Sequence, residues 1–194
     1  MGILLSDPLI LASGSPRRSQ LLRQAGISFR TRVPAVEETF PLGMDGQEIP
    51  ACLAEKKAWS VKPSCGPQDI ILAADTLVFL DGRIIGKPSY REDAIQMLGN
   101  LSGRMHRVIT GVCILHREKK TLFSAVTEVY FRELDPADII YYVDHYHPLD
   151  KAGAYGIQEW IGLVGIERIC GSYFNVMGLP VSQVIGQLRS LSGE

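Results

Sequence analysis

The sequence lacks long apolar runs, paired cysteines and a net charge of either sign, and each absence removes a class of protein. No apolar stretch among its 194 residues approaches the ~18 to 20 needed to cross a bilayer. Lys plus Arg number 20 and Asp plus Glu 21, a net charge of −1, so the overall balance offers nothing to a nucleic-acid backbone or an anionic membrane. Any affinity for phosphate must be local. The four cysteines, Cys52, Cys65, Cys113 and Cys170, are widely spaced with no CxxC pair, which argues against a zinc site or a disulfide framework and suits reduced thiols. The stretch Met1 to Ser6 carries no basic region of the targeting type, so a soluble, cytoplasmic protein is expected. GxGxxG and GxSxG are missing too. Gly82 to Pro88, GRIIGKP, has three residues rather than four between its glycines and a proline where a P-loop needs Ser or Thr.

What is present is a hydrophobic content of 46%, enough for one well-buried core or two small lobes. Strands are predicted at Leu9 to Ser13, Phe29 to Val33, Ile70 to Asp75 with a continuation from Leu77 to Leu80, Arg83 to Ile85, Val108 to His116 and Thr121 to Phe131, with Asp81-Gly82 and the segment from Arg117 to Lys120 as turns. Helices are predicted at Pro16 to Ala25, Glu48 to Val61, Tyr90 to Leu101, Asp135 to His145 and Val181 to Leu191, with Asp135 as N-cap and Pro136 at the first helical position. Pro34 to Gly46 reads as an acidic loop, and Gly153 to Asn175 as glycine-rich and irregular. Strands interleaved with helices, plus at least two hairpins, predict an α/β protein with a mixed sheet and flanking helices. No internal repeat or linker divides the chain, so residues 1–194 are expected to form one domain, with room for two lobes.

The stretch ASGSPRR, Ala12 to Arg18, poses an electrostatic question. Ser15 can cap the following helix and Pro16 fits its first position, so backbone N–H groups and the positive end of the dipole face outward beside Ser13 and Gly14. Two arginines there are unfavourable unless an anion arrives, although a capped surface helix with solvated arginines is the plainer reading. Neighbouring helical residues point about 100° apart, so Arg17 and Arg18 are expected to do different jobs, one holding phosphate and the other base or structure.

Other chemistry-bearing residues are dispersed. Asp75-Thr76 lies at the end of a buried strand, where a carboxylate can hold a divalent cation, accept a proton from water, or simply bond backbone N–H groups. The Asp81-Gly82 hairpin folds Lys87 back towards it. Glu37-Glu38-Thr39 lies in the loop and Lys56-Lys57 on the next helix, which together supply the acids and bases that phosphoanhydride cleavage needs. His145 and His147 read as a helix-end pair without a third ligand. Gly153 to Gln158, GAYGIQ, is either a tight turn or a loop suited to close approach and directional contact with a base.

Taken in order, ASGSPRR, VEET at 36–39, Lys57-Ala58, AADT at 73–76, GKP at 86–88, LSGR at 101–104, ITGV at 109–112, PLDKAGAYGIQ at 148–158 and GSYFNVMGLP at 171–180 closely resemble the Maf family. Glu37 departs from the usual Asp, beside a retained Glu38. The resemblance implies nucleoside triphosphate pyrophosphatase activity with a divalent cation, Mg²⁺ or Mn²⁺. It also implies an elongated two-lobed α/β fold similar to inosine-triphosphate pyrophosphatases, with the site in the cleft, in which homodimers are common. Asp75 matches the proposed proton acceptor, Glu38, Lys57 and Lys87 the polar catalytic set, and Ser13 and Arg18 the phosphate-binding loop, to which Ser15 is added. Glu38 and Asp75 are the residues expected to hold the cation in part. Arg17, Thr76 and Gln158 fall at positions linked to substrate choice, and resemble the branch acting on dTTP and UTP rather than 7-methyl-GTP. The family is also associated with septum formation, so two alternatives accompany this reading: a division-regulating binding protein, and a pyrophosphatase for another, modified nucleotide.

Overall fold

The apolar runs join one mixed sheet. The computed structural model describes residues 5–191 and contains, in order, β1 (Leu9–Ala12), α1 (Pro16–Gln24), β2 (Arg30–Arg32), α2 (Ile49–Val61), β3 (Ile70–Leu80), β4 (Arg83–Ile85), α3 (Arg91–Leu101), β5 (Met105–His116), β6 (Lys119–Phe131), α4 (Pro136–Tyr146), α5 (Trp160–Gly165), β7 (Ile166–Cys170), α6 (Tyr173–Val176) and α7 (Val181–Leu191). Strand order is β2-β1-β3-β5-β6-β7, with β4 paired to β3. β1 runs parallel to both β2 and β3, whereas β3 and β4, like β6 and β7, are antiparallel. This is the mixed α/β arrangement expected. No helix among the described residues is long and apolar enough to cross a membrane.

Two compact units can be distinguished. The first holds the described residues up to Asp75, Thr110–Ala125 and those from Gly178 onward; the second holds Thr76–Ile109 and Val126–Met177.

In the first unit, α2 buries Ile49, Pro50, Leu53, Ala54, Lys57, Ala58 and Val61, one helical face. Ala54 and Ala58 share a core cluster with Ala12, Ala73, Ile10, Ile71, Cys113 and Leu115. These small residues let the helix lie close on the sheet, and Gly111 is the closest point: a Cβ there would fall 2.1 Å from the Ala51 backbone nitrogen and 2.2 Å from the Pro50 carbonyl carbon. Burial pushes the Cys113 thiol up to about 12, so it packs as a neutral hydrophobe.

In the second unit, His106, Phe131 and Tyr155 meet edge to face, with ring centroids 5.2 Å apart for His106 and Phe131 and 5.1 Å for Phe131 and Tyr155. His106 Nε2 lies 2.8 Å from the Tyr155 hydroxyl, while no partner meets its buried Nδ1. Burial lowers the imidazole from 6.5 to about 4 and keeps it neutral. Asp135 caps α4 as expected, accepting from the Ala137 N–H at 2.8 Å.

Three expectations need correction. The segment from Gly153 to Asn175 is not irregular throughout, since it contains α5, β7 and the start of α6. β7 is a short edge strand with a register shift against β6 at Tyr130 and Phe131, so it shows no clean alternation. β6 begins at Lys119, earlier than Thr121, because the intervening turn is only Arg117-Glu118, with Arg117 at φ 54°, and β5 begins at Met105 rather than Val108. Asp81 and Gly82, at φ 50° and 76°, make the β3–β4 turn as expected, since both central residues of that turn type require positive φ.

Two measurements follow. Gly111→Ala should lose about 3 kcal/mol in urea unfolding, because backbone rather than a yielding side chain stands in the way. For His106, the unfolded chain binds a proton near 6.5 and the native one only near 4, so stability is full above that window and falls by about 3 kcal/mol on acidification through it. His106→Gln should flatten that part of the stability profile relative to the parent.

Candidate active site

β1 and β3 pair in parallel as far as Ala12 opposite Ala73. Ser13 and Asp75 both lie just beyond this pairing, toward the carboxyl ends of parallel strands, where ligands bind in open α/β sheets. Ser13 is buried, and its Oγ accepts from the Ser15 N–H at 3.2 Å and from Arg18 Nη1 at 3.1 Å. Arg18 Nε donates to the Gly178 carbonyl at 2.8 Å. The guanidinium is therefore aimed by the loop before α1 and the turn before α7. Ser15 stands at the N-cap position, but, against expectation, its side chain makes no capping bond, and its backbone N–H donates instead to the Ser13 hydroxyl. Arg17 is half-buried in the first turn.

The second cluster centres on Lys57. Its Nζ donates to Glu38 Oε1 at 2.5 Å and to Asp75 Oδ1. Side-chain exposure is 11% for Lys57, 8% for Asp75 and 55% for Glu38. The lysine is thus a buried cation between one buried and one open carboxylate. Lys56 points to the same loop, donating to the Thr39 carbonyl and, at 3.4 Å, to its hydroxyl. Adjacent lysines on α2 consequently hold the acidic loop at adjacent residues.

The two clusters share one field. Burial lowers the Arg18 pKa, Asp75 opposes that shift, the Arg17 charge adds to it, and Glu38 again opposes it. Arginines that α1 would disfavour are thus partly balanced by carboxylates carried on β3 and the acidic loop.

The described residues from 8 to 191 match the family described as Maf-like protein. The chain belongs to the Maf family. Among its Maf relatives, a dTTP/UTP pyrophosphatase of Bacteroides fragilis strain YCH46 is 50% identical over 184 residues, covering 94% of this chain and 95% of that protein. One from Cytophaga hutchinsonii is 50% identical over 97% of this chain and 86% of its own. One from Bacteroides thetaiotaomicron is 44% identical over 98% and 100% respectively. Among solved structures, a HAM1 protein from Coxiella burnetii aligns over 95% of this chain and 99% of its own at 18% identity and a TM-score of 0.49.

Of the residues singled out from the Maf motifs, the structure brings Ser13 and Arg18 together, and joins Glu38, Lys57 and Asp75. Thr76 follows Asp75 on β3 and is half-exposed. Lys87 and Gln158 are exposed residues of the second unit. His145 is engaged with Tyr141, bonding its carbonyl at 2.8 Å, and His147 is the left-handed end of α4 at φ 45°. Sequence reasoning missed the Lys56 contacts, the Gly178 carbonyl, and a buried Lys151 that meets Asp150 and Glu159 in the second unit. The signal for Lys57 was available in its place on the stripe Leu53, Ala54, Ala58, Val61, where Lys56 is off-register.

Removing Lys57 strands a buried charge. Lys57→Met should cost roughly 3 to 5 kcal/mol in denaturant unfolding, and adding Asp75→Asn should recover part of that loss rather than deepen it.

Proposed function

We propose that this chain hydrolyses dTTP and UTP to the nucleoside monophosphate and pyrophosphate. The observation that carries the reaction type is the meeting of two carboxylates, Asp75 and Glu38, at the buried Lys57 ammonium. The choice of dTTP and UTP follows the relatives that carry those nucleotides in their names.

Two hard oxygen donors converging on one cationic point are, with substrate phosphate oxygens, the kind of set that Mg²⁺ or Mn²⁺ takes. Glu38 and Asp75 would hold that cation, and it would supply neutralisation of charge on the triphosphate. Asp75 orients a water and accepts its proton as the water oxygen bonds to the α-phosphorus. The bond from that phosphorus to the bridging oxygen breaks, and pyrophosphate leaves with the electron pair. Lys57 fixes the Asp75 carboxylate in orientation and offsets charge as it develops. Arg18, steered by Ser13 and the Gly178 carbonyl, binds phosphate oxygens. The same reading gives Lys87 a part in neutralising the leaving group. Arg17, Thr76 and Gln158 then recognise the base, where a carboxamide can match a donor–acceptor pair on a pyrimidine edge.

The test is pyrophosphate release across dTTP, UTP, CTP, 7-methyl-GTP and ITP, with and without Mg²⁺ or Mn²⁺. Asp75→Asn should lower dTTP turnover by about 10²- to 10⁴-fold; near-normal turnover would sink the assignment. Arg18→Ala should lose all substrates alike, whereas Arg17→Ala should chiefly reorder them.

A further inference from the structure

The second unit contains a buried polar network that the reaction does not use. Tyr142, fully buried on α4, donates its hydroxyl proton to Glu159 Oε2 and accepts from the Gly156 N–H at 2.9 Å. The other oxygen, Glu159 Oε1, lies 3.2 Å from Nζ of the buried Lys151, which also donates to Asp150 Oδ1 at 2.8 Å. Burial, and then the bond to Glu159, raises the Tyr142 pKa, so the hydroxyl keeps its proton as a donor.

This network grips both ends of one turn. The Glu159 N–H donates to the Gly156 carbonyl at 3.0 Å, closing a four-residue turn whose corner is Ile157 and Gln158. A Cβ on Gly156 would lie 2.7 Å from Glu159 Cδ, so the turn is folded down onto the carboxylate itself. Ile157 is buried and Gln158 is exposed. From Gly153 to Gln158 every residue but Gln158 is buried. A planar amide recognises a base edge only if its plane is held within about 10 to 20°, and here the backbone beneath it is fixed from both sides.

We propose that Glu159, held by Tyr142 and Lys151, is a positioning residue that sets the orientation of Gln158 and thereby the choice of base. This rests on the assignment of Gln158 to the base. UTP and CTP differ only on the edge that a carboxamide reads, so the ratio of their kcat/KM values isolates the effect. A residue that merely supports the fold would scale both nucleotides equally and leave the ratio unchanged.

The experiment measures that ratio, with Tm, for the full chain and for Gln158→Ala, Tyr142→Phe, Glu159→Ala and Glu159→Gln. Gln158→Ala should collapse the preference for UTP. Tyr142→Phe and Glu159→Ala should each lower it by about five- to tenfold, the worth of one hydrogen bond, with no further loss when combined with Gln158→Ala. Glu159→Gln, which keeps an oxygen for Tyr142, should retain more of the preference than Glu159→Ala, and it carries the test should Glu159→Ala not fold. If Gln158→Ala collapses the ratio while the Tyr142 and Glu159 variants leave it intact, the positioning role is overturned and the base contact stands. An unchanged ratio in Gln158→Ala overturns both.

Discussion

The buried ammonium of Lys57 is the constraint on which the rest of the first unit turns. A lysine on the apolar face of α2 is tolerable only if counter-charges meet it there, since a desolvated cation without partners costs several kcal/mol. Asp75 on β3 and Glu38 on the acidic loop meet that need. Because α2 rests against the sheet through alanines and Gly111, the height of Lys57 above β3 is set by backbone packing rather than by side-chain choice. The geometry of the carboxylates is therefore decided by the core beneath them.

Arg18 extends the same logic. Its position near Arg17 and a helix N-terminus is electrostatically poor, yet Ser13 and the Gly178 carbonyl fix its orientation while Asp75 and Glu38 offset its charge. This balance of charges is local and does not depend on overall charge, which is close to neutral.

The second unit places a network of buried polar groups beneath a short loop. Loops are ordinarily the mobile parts of a protein. Here Tyr142, Lys151 and Glu159 place buried hydrogen bonds under the turn that carries Gln158, while Tyr155 is pinned by His106. Buried polar groups are costly unless satisfied, so such a network favours one arrangement of the loop over its alternatives.

By itself the sequence determined the class of fold, most element boundaries and the identity of the chemical groups. Period-two and helical spacing of apolar residues, Asp81-Gly82 and Asp135-Pro136 are local signals that depend on neighbours along the chain. It also carried the Maf motifs in order, each a short run of contiguous residues. It did not reveal β7, whose pairing with β6 includes a register shift and whose short run is not apolar enough to stand out. Nor could it show which carboxylates meet Lys57, that Ser13 rather than the Ser15 side chain organises the start of α1, or connect Tyr142 to Gly156 and Glu159. The Ser13 contacts depend on the conformation of the loop before α1, whereas the Lys57 and Tyr142 contacts join residues 14 to 19 apart that only the packing of α2 and α4 brought within hydrogen-bonding range.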